Sequence, residues 1–442
     1  MTPTSAADGI DLAFTALLAQ RLAVIAGAGL SMAAPSRLPS AWKLAERAKT
    51  VYGLQWGAAK PPLPDDIEAQ AEFFFGHNEL QTVYLATLID RHAFAGRPNP
   101  GHLAIADLML SQAIQTVVTT NVDALVETAG NELFGQIEAG IDGASVAALP
   151  PDTVPMLKIH GCRHVDWPNT VWAPSQLAIE PVLGRVISSV PWVSQRLLNR
   201  DLLVVGYWTD WDYLNQILTQ VLNAINPSRV IVVDPAEGAT FPAKAPALFD
   251  LGQRAANGFH HVKLSGADFL AALRRKFSDY IVRAMLHSGA AAYADDKGVA
   301  PDPAWLEPPA MDDTQSWLLR RDLLGCAPNA PAASRTPPHE PLLGMTLLQL
   351  RAAGAVPDGS SWRLGGKLVR VIRAPNQILH RVEAEYDGDI APIVAPDFVV
   401  AVGAESRALP VSIARGSGMP SIARTSGGSW LSYSDAVAEF GL

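Results

Sequence analysis

The residues of this chain that are best suited to chemistry follow short apolar runs, where a strand would end. The first run, Leu22–Ala26, leads directly into a Gly-Ala-Gly turn at 27–29 and then to Ser31. Glycines let the backbone turn sharply and approach a bulky anion, and free backbone N–H groups converge on such a turn. The stretch therefore predicts a phosphate-binding turn with the Ser31 hydroxyl at its mouth. It departs from the fingerprint G-x-G-x-x-G, which needs a small residue where Met32 stands.

Further apolar runs downstream end in the same way. They cover residues 114–123, 155–161, 201–212, 229–235 and 260–264. The polar or turn-forming residues that follow them are Thr120, Asn121, Asp123, His160, Gly206, Tyr207 and Asp234. Helix-length segments separate most of the runs. Strands that alternate with helices are typical of an α/β fold with a mostly parallel, Rossmann-like sheet and helices on both faces.

The ends of these runs are expected to form one site. The carboxyl ends of parallel strands lie along the same edge of a sheet, and ligands bind there. The predicted site is built from Gly29, Asn121, His160, Gly206 and Asp234. A structural interpretation of single residues stays open, because Asn121 is also a suitable helix cap and a histidine at a strand end is often a satisfied structural residue.

The segments between the runs are predicted to be helices. Residues 1–20 carry a helix-like apolar stripe, and Ser40 is a suitable N-cap for a helix in which Trp42 is expected to be buried. The apolar spacing is helical over 65–95, and a turn at 98–102 leads into a further helix.

The composition is that of a folded protein with room for two or three domains. The chain has 442 residues, of which 49% are hydrophobic and 17% are charged, and its net charge is −9. This charge argues against a basic surface for non-specific nucleic-acid binding.

The two cysteines, Cys162 and Cys326, exclude a disulfide framework and a four-cysteine zinc site. We expect a cytoplasmic protein without a signal peptide or membrane span, because acidic residues precede Arg21 and this arginine interrupts the first apolar stretch.

A change in composition near Ala290 predicts three parts of the chain. The first part, 1–288, holds the residues described above. The second part, 289–343, is rich in proline and is expected to be a linker with a short helix near 314–324. The third part, 344–442, is expected to be a smaller C-terminal α+β module with a helix over 347–355 and strands over 368–372, 380–386 and 397–403.

Four motifs in a definite order resemble the sirtuin, or SIR2-like, family. They are GAGLS at 27–31, TTNVD at 119–123, KIHG at 158–161 and VVGYWTD at 204–210. The resemblance covers residues 10–285, the part that would form a SIR2-like NAD-binding domain. The segments at 98–102 and 206–214 look more like the bacterial SIR2-like effector branch than like the classical deacetylases.

One departure from the classical pattern concerns metal. Classical sirtuins carry four zinc-binding cysteines between the HG motif and the later strands, whereas this interval holds only Cys162. His164 has no neighbours in the sequence that would complete a zinc site. The resemblance therefore implies a zinc-free branch without metal ligands, and it puts a peptide-binding cleft of the classical kind in doubt.

The resemblance implies that NAD is the substrate and that the bond between nicotinamide and ribose is broken. By the family pattern His160 is the general base near the ribose hydroxyls, a role that a near-neutral pKa would suit. Asn121 would hold ribose hydroxyls and a water, and Asp123 would anchor the nicotinamide carboxamide. Asp234 would take the hydroxyls of the adenosine ribose. The other residues implied to bind NAD are Gly27, Ala28, Gly29, Ser31, Thr120, Gly206 and Tyr207.

Several neighbouring residues can be interpreted as either structural or functional. Asp123 also suits a helix cap, and Asp210 and Asp212 suit capping as well as ligand contact. Tyr207 and Trp208 either line the adenine side of the site or pack in the core. Cys162 is expected to be a small buried residue rather than a nucleophile.

The first functional hypothesis is an NAD+ glycohydrolase that releases nicotinamide and ADP-ribose or a cyclic form. Resemblance to the effector branch implies bacterial anti-phage defence, or abortive infection, by NAD depletion. A toxic activity must be restrained, so residues 344–442 would receive a signal from a protein partner or from oligomerisation. The implied partners are an Argonaute-type protein or a ring ATPase, through which nucleic acid would act.

Two other functional classes stay open at this stage. One is a zinc-free NAD-dependent protein deacylase or ADP-ribosyltransferase, which would need an open groove for a peptide. The other is a non-catalytic module that senses NAD or a derivative. The presence of both Asn121 and His160 favours catalysis, because a sensor does not need a base beside the ribose.

Overall fold

The structure is a computed structural model. It describes residues 1–57, 61–150, 153–207, 212–223, 225–386, 394–405 and 430–442, without the side chains of Asp212 and Leu214. The chain forms two compact units, Met1–Leu273 and Arg274–Leu442. Each unit is built on a β-sheet.

The sheet of the first unit has eight strands, and every neighbouring pair is parallel. The strands are β1 (Thr2–Thr4), β2 (Leu22–Ala26), β3 (Thr116–Thr119), β4 (Ala139–Gly140), β5 (Met156–Lys158), β6 (Asp201–Val205), β7 (Arg229–Val233) and β8 (Phe259–Val262). Their order across the sheet is β1-β8-β7-β6-β2-β3-β5-β4. In the central register, Ile25 of β2 lies between Val118 of β3 and Val204 of β6.

Helices follow most of these strands. They are α1 (Ala6–Leu18), α2 (Gly29–Met32), α3 (Ala41–Trp56), α4 (Ile67–Gly76), α5 (Pro100–Leu110), α6 (Leu125–Glu132), α7 (Gly143–Ala147), α8 (Val182–Leu197), α9 (Asp212–Leu222), α10 (Phe241–Lys244), α11 (Pro246–Gln253) and α12 (Gly266–Lys297). A π-helix covers Leu80–Leu88, and short 3-10 helices cover Arg91–Phe94, Trp167–Asn169, Pro174–Ala178 and Gly238–Thr240. The region 65–95, which is predicted to be helical, therefore contains three successive helical segments of different kinds.

Both faces of the sheet are covered. On one face Ile25 and Val204 pack in a core with Ile217 of α9. Val24 and Leu203 point to the opposite face and are also completely buried. Burial on both sides is what an all-parallel sheet requires, and it explains why its central strands are continuous apolar runs. The predicted Rossmann-like α/β fold is confirmed.

The chain reverses its direction of travel across the sheet between β2 and β6. From β2 it continues to β3 on one side, and after β4 and β5 it returns to β6 on the other side of β2. At such a switch point the loops after the two strands diverge and leave a crevice at their carboxyl ends. The crevice places the ligand site beside the loops that carry Gly29 and Gly206.

The loops after β2 and β6 nevertheless touch, backbone against backbone. The Gly27 N–H donates to the Val205 carbonyl at 2.9 Å, and the Gly29 N–H donates to the Gly206 carbonyl at 2.8 Å. A Cβ atom on Gly27 would lie 2.5 Å from the Gly206 carbonyl oxygen, and one on Gly206 would lie 2.3 Å from the Leu30 nitrogen. Gly206 also has a φ of 63°. These glycines are therefore required by the contact between the two loops.

Two strands of this sheet were not expected from the sequence. β1 consists of Thr2–Thr4, whose side chains are mostly exposed and which pairs with β8 at the edge of the sheet. β4 has only the two residues Ala139–Gly140. Segments this short do not show the apolar alternation that identifies a strand.

The second unit has a five-stranded mixed sheet in the order β13-β12-β11-β10-β9. Its strands are β9 (Val356–Asp358), β10 (Ser361–Leu364), β11 (Lys367–Arg373), β12 (Phe398–Val402) and β13 (Trp430–Ser432). β9, β10 and β11 are antiparallel neighbours, whereas β11, β12 and β13 are parallel. Its further helices are α13 (Asp313–Leu324), α14 (Pro341–Ala352), α15 (Leu379–Tyr386) and α16 (Tyr433–Phe440).

The helix predicted near 314–324 is confirmed by α13, and the smaller C-terminal sheet is also present. The strand predicted over 380–386 is wrong, because this segment is the helix α15. Its buried residues are Leu379 and Val382, which are three positions apart and so lie on one face of a helix. The domain boundaries at 288 and 343 stay predictions.

The loop contact generates a prediction about stability. Gly206→Ala should lower the midpoint of thermal unfolding, because alanine is strained at this φ and its Cβ would meet the Leu30 nitrogen. The measurement is circular dichroism on heating.

Gly53→Ala is the matched control, because an added Cβ on this residue of α3 meets nothing within 4 Å. That change should stabilise the protein by about 0.5–1 kcal/mol, since alanine is the better helix former. If the Gly206→Ala variant unfolded at the wild-type temperature, the backbone contact would not be the constraint described here.

Candidate functional site

A cavity of about 610 Å³ lies at the carboxyl ends of the central strands. This volume falls in the range of about 300–1,000 Å³ that is typical of small-molecule sites. The predicted site residues that line it are Ala28, Gly29, Ser31, Thr120, Asn121, Asp123, His160, Gly206, Tyr207 and Asp234. Gly27 is not among the lining residues, and it packs against the loop after β6 instead.

The Ser31 hydroxyl is the centre of the polar wall of this cavity. Its Oγ donates to Oδ2 of Asp123 at 2.8 Å and accepts from Nδ2 of Asn121 at 3.0 Å. Nε2 of His102 lies 3.1 Å from the same oxygen. All four side chains are buried. One hydroxyl therefore holds together α2, the start of α5 and the loop after β3.

His102 lies in the turn at 98–102 but is not among the predicted site residues. Asn99 caps α5 by accepting from the backbone N–H groups of Gly101 and His102, at 3.0 and 3.2 Å. The Asn99 amide also donates to the Leu30 carbonyl at 2.7 Å, which ties the start of α5 to α2. Burial lowers the pKa of His102 to about 4, so the ring is neutral. An asparagine cap before Pro100 is a helix-start signal that could have directed attention to this histidine.

Two buried polar atoms of cavity residues have no hydrogen-bond partner in the part of the chain that the structure describes. They are Oδ1 of Asn121 and the hydroxyl of Tyr207. Unpaired polar atoms are costly when they are buried, and a ligand or water that paired with them would remove that cost. Burial raises the pKa of Tyr207, so its side chain stays a hydroxyl. Both atoms belong to residues that line the cavity, but the atoms themselves are buried.

His160 is held by contacts at both ring nitrogens. Nδ1 lies 2.9 Å from the Thr120 carbonyl oxygen, which can only accept a hydrogen bond. Nε2 lies 3.1 Å from the Tyr213 hydroxyl and also contacts the Val171 carbonyl oxygen. The rings of Trp172 and Tyr213 each lie with their centroids 5.4 Å from the His160 ring. These contacts leave the ring little freedom to turn.

The pKa of His160 differs from the near-neutral value expected from the sequence. Burial lowers it to about 4, and the positive charge of Arg185 acts in the same direction, against the hydrogen bond to the Thr120 carbonyl. The ring is therefore neutral at pH 7. It can accept a proton, but it is a weaker base than an exposed histidine. The expectation of a near-neutral pKa is wrong, because the sequence motif does not show that the strand end is completely buried.

Asp123 has a structural role as well as its place in the cavity. Its Oδ1 accepts from the Leu125 N–H at 3.1 Å and so caps α6, while its Oδ2 accepts from Ser31. Behind it the buried Lys158 ammonium donates to the Asp123 carbonyl and, at 2.7 Å, to Glu127. The capping interpretation and the site interpretation of Asp123 are therefore compatible.

Asp234 lines the cavity directly after the end of β7. Its Oδ1 accepts from the Ala236 N–H at 2.9 Å. Burial raises the pKa of this carboxyl, and the hydrogen bond opposes that shift.

The remaining lining residues were not predicted. They are mostly apolar, namely Met32, Ala33, Leu38, Pro39, Ser40, Ala41, Trp42, Leu44, Phe94, Val122, Trp172, Pro235, Ser265 and Gly266. The expectation that Trp42 is buried is wrong, because this side chain is 64% exposed and lines the cavity. Helical periodicity identifies an apolar position but does not distinguish a core contact from a ligand contact.

Several further expectations concern residues around the site. Trp208 and Asp210 lie outside the described residues, as does the side chain of Asp212. Cys162 is buried, as expected, and it is a free cysteine. Within the described ranges, three or more histidine, cysteine or acidic side chains nowhere come together as a metal site would require. Across the same ranges the helices all fall short of the length and apolar character needed to cross a membrane.

The two buried histidines generate a prediction about the pH dependence of stability. The folded-state pKa values of His102 and His160 are about 4, below the usual 6.5. As pH falls from 6.5 towards 4, the unfolded chain takes up protons that the folded protein does not. Each histidine should therefore lower the free energy of unfolding by about 1.4 kcal/mol per pH unit in this window.

Urea unfolding of the wild type and of His160→Gln at several pH values between 4.5 and 7.5 would test this. The variant should show the shallower pH dependence, whatever its absolute stability. His92→Gln, at an exposed position, is the control and should leave the slope unchanged. Parallel curves for the wild type and His160→Gln would mean that His160 is not held neutral by burial.

Comparison with solved structures finds sirtuins at low similarity. A structure from work on sirtuin substrate affinity is 14% identical, with a TM-score of 0.35, over 60% of this chain and 97% of that chain. A Sir2 homologue in complex with NAD is 17% identical, with a TM-score of 0.31, over 60% of this chain and 91% of that one. Values this low do not establish a common fold or a common activity. A search of curated proteins found no match.

The comparison with protein-family models gives a direct match. The model described as SIR2-like domain matches residues 115–250. This range includes β3, β5, β6 and β7 together with the TTNVD and KIHG motifs. The resemblance seen in the sequence is thereby confirmed over this range, while the zinc-free branch stays a prediction. The chain therefore contains a SIR2-like domain, matched over residues 115–250.

Proposed function

We propose that the cavity binds NAD and that the protein hydrolyses the bond between nicotinamide and ribose. The observation that supports this best is that one cavity is lined both by Asn121, whose Oδ1 has no partner in the described residues, and by a neutral His160. The reaction consumes one water and yields nicotinamide, ADP-ribose and a proton. It requires a group that orients the ribose or the water and a group that accepts the proton.

Asn121 is suited to the first task. Its amide nitrogen donates to Ser31, which leaves its buried carbonyl oxygen as the atom without a partner in the described part of the chain. The side chain is already fixed before a ligand arrives, which lowers the entropic cost of orienting the reacting groups.

His160 is suited to the second task. A neutral ring can accept a proton at one of its nitrogens, and Nε2 lies 3.1 Å from the Tyr213 hydroxyl. The ring is positioned by Thr120 on one edge and by aromatic side chains on its faces. Such a fixed base contributes typically about 10²–10⁴-fold to a rate.

The rest of the cavity suits the other parts of NAD. Aromatic rings of Trp42, Phe94 and Trp172 offer flat apolar surfaces to a nicotinamide or adenine ring. Gly29 and the start of α12 at Gly266 line the region where a diphosphate would lie, and a helix N-terminus favours negative charge. In this arrangement Asp234 would accept hydrogen bonds from the adenosine ribose hydroxyls.

We further propose that the activity serves anti-phage defence in a bacterial cytoplasm through NAD depletion. The support is the resemblance of the segments at 98–102 and 206–214 to the effector branch, together with a C-terminal region that contains its own sheet. In this proposal residues 344–442 restrain or release the activity by binding a partner or by oligomerisation. A partner of the Argonaute or ring-ATPase type would bring in nucleic acid as the trigger.

The prediction that tests the proposed activity uses the purified full chain and NAD without any peptide. Chromatography should detect free nicotinamide and ADP-ribose. Asn121→Ala and His160→Ala should each reduce nicotinamide release by about 100-fold or more, because each removes a group that acts on the reacting atoms. Asn131→Ala, an exposed change within α6, is the matched control and should leave release unchanged.

Other results would contradict hydrolysis in specific ways. Nicotinamide release only in the presence of an acylated peptide would indicate a deacylase. Binding of NAD without release, even when the proteins encoded nearby and nucleic acid are added, would indicate a sensor.

A further inference from the structure

The residues 167–173, called the Trp172 segment below, lie against His160 and form part of the cavity wall. The Val171 N–H donates to the His160 carbonyl at 3.0 Å, which pairs the segment with the loop after β5. The Trp172 side chain lines the cavity, and its ring centroid lies 5.4 Å from that of His160. The position of the segment therefore affects both His160 and the space that is available to a ligand.

Side-chain hydrogen bonds connect the residues of the Trp172 segment to one another. Nε1 of Trp172 donates to the Thr170 hydroxyl at 2.7 Å, and that hydroxyl donates to the Trp167 carbonyl at 2.8 Å. Nε2 of Gln176 donates to the Thr170 carbonyl at 3.1 Å. Because of these bonds, a contact that fixes Asn169 also restricts Thr170 and Trp172.

Arg185, near the start of α8, holds the Trp172 segment from outside. Its Nη1 donates to the Asn169 carbonyl at 2.7 Å. Its Nη2 occupies the space beside Gly161, where an added Cβ would lie 3.1 Å from Nη2 and 2.8 Å from Cγ2 of Thr170. The guanidinium group therefore lies against both Gly161 and the Trp172 segment.

The charge of this guanidinium group is buried with little to compensate it. The Arg185 side chain is only 7% exposed, and a carboxylate oxygen of Asp166 lies 3.9 Å from Nη1. Nε and Nη2 are buried and have no hydrogen-bond partner within the described ranges. Burying a charge costs free energy, which an apolar side chain of similar length would avoid. The stability of the fold therefore does not by itself account for an arginine at this position.

The charge of Arg185 also acts on the His160 ring. Burial is the main cause that lowers the pKa of His160 to about 4, and the positive charge of Arg185 acts in the same direction. The guanidinium group is thus close enough to influence the ring, and it also holds the segment that lies beside the ring.

We propose that Arg185 is a positioning residue, which holds the Trp172 segment against His160 through its hydrogen bond to the Asn169 carbonyl. Arg185 is not one of the residues that line the cavity, so it acts through the segment and not on a ligand. The effect on turnover rests on the proposed function, whereas the effect on the segment does not.

Two substitutions separate the hydrogen bond from the bulk of the side chain. Methionine in Arg185→Met has a similar length but no donor, whereas lysine in Arg185→Lys keeps the charge and can supply the one bond that Asn169 receives. We expect Arg185→Met to lower kcat/KM for nicotinamide release by roughly 10- to 100-fold, because a small displacement beside His160 affects the reacting geometry. Arg185→Lys should retain most of kcat/KM. Arg196→Met, which changes an exposed arginine of the same helix, is the matched control and should leave kcat/KM unchanged.

Hydrogen–deuterium exchange measures the positioning itself and does not depend on catalysis. In Arg185→Met the backbone amides of 169–173 should exchange about 10-fold faster than in the wild type or more, because a hydrogen bond from a charged donor is lost. The amides of β6 should keep their wild-type rates, and Arg185→Lys should show wild-type exchange in both places.

Thermal unfolding establishes which variants are folded. A folded Arg185→Met variant that keeps either the wild-type kcat/KM or the wild-type exchange of the Trp172 segment would overturn the proposal. A folded Arg185→Lys variant that is as impaired as Arg185→Met would also overturn it. Faster exchange throughout the first unit in Arg185→Met would do the same, because Arg185 would then stabilise the fold as a whole.

Two further cases keep the test decisive. If Arg185→Met does not fold, Arg185→Gln takes its place, because the glutamine amide is too short to reach the Asn169 carbonyl. If the wild type released no nicotinamide while Arg185→Met loosened only the Trp172 segment, the proposed function would fail and the positioning role would stand.

Discussion

The contact between the loops after β2 and β6 is the constraint on which the site depends. Gly27 and Gly29 donate backbone hydrogen bonds to the end of β6, and Gly206 approaches the Leu30 nitrogen so closely that no side chain fits. At a switch point of a parallel sheet these two loops would otherwise diverge. Their contact fixes the start of α2 and thereby the position of Ser31. The glycines of the GAG turn are thus needed for a contact within the protein's own backbone, independently of any ligand.

The fixed position of Ser31 in turn fixes the other polar side chains that line the cavity. Its hydroxyl joins α2, α5 and the loop after β3. The three hydrogen-bonding positions of this hydroxyl are all occupied. His160 is fixed separately by Thr120 and by the rings of Trp172 and Tyr213. A site in which the polar groups are already oriented loses little entropy when it binds a substrate. The atoms left without partners mark where we propose that the substrate binds.

Much of the fold was predictable from the sequence, because completely buried parallel strands leave continuous apolar runs with polar residues after them. This pattern identified β2, β3, β5, β6 and β7 and brought Asn121 and His160 to one edge of the sheet. What could not be predicted depends on contacts between distant segments. The place of His102 beside Ser31 is such a contact, and so is the exposure of Trp42 at the cavity. The helix α15 was mistaken for a strand because a segment of eight residues carries too few apolar positions to separate the two periods.

The central claim is that the Asn121 carbonyl oxygen, held by Ser31, receives the ribose or the attacking water. The most direct test is a crystal structure of the His160→Ala variant soaked with NAD, in which turnover should be too slow to remove the substrate. The account predicts a ribose hydroxyl or a bridging water about 2.5–3.0 Å from Oδ1 of Asn121. A dinucleotide bound elsewhere, or one bound in the cavity with the Asn121 NH2 group turned toward it, would contradict the account.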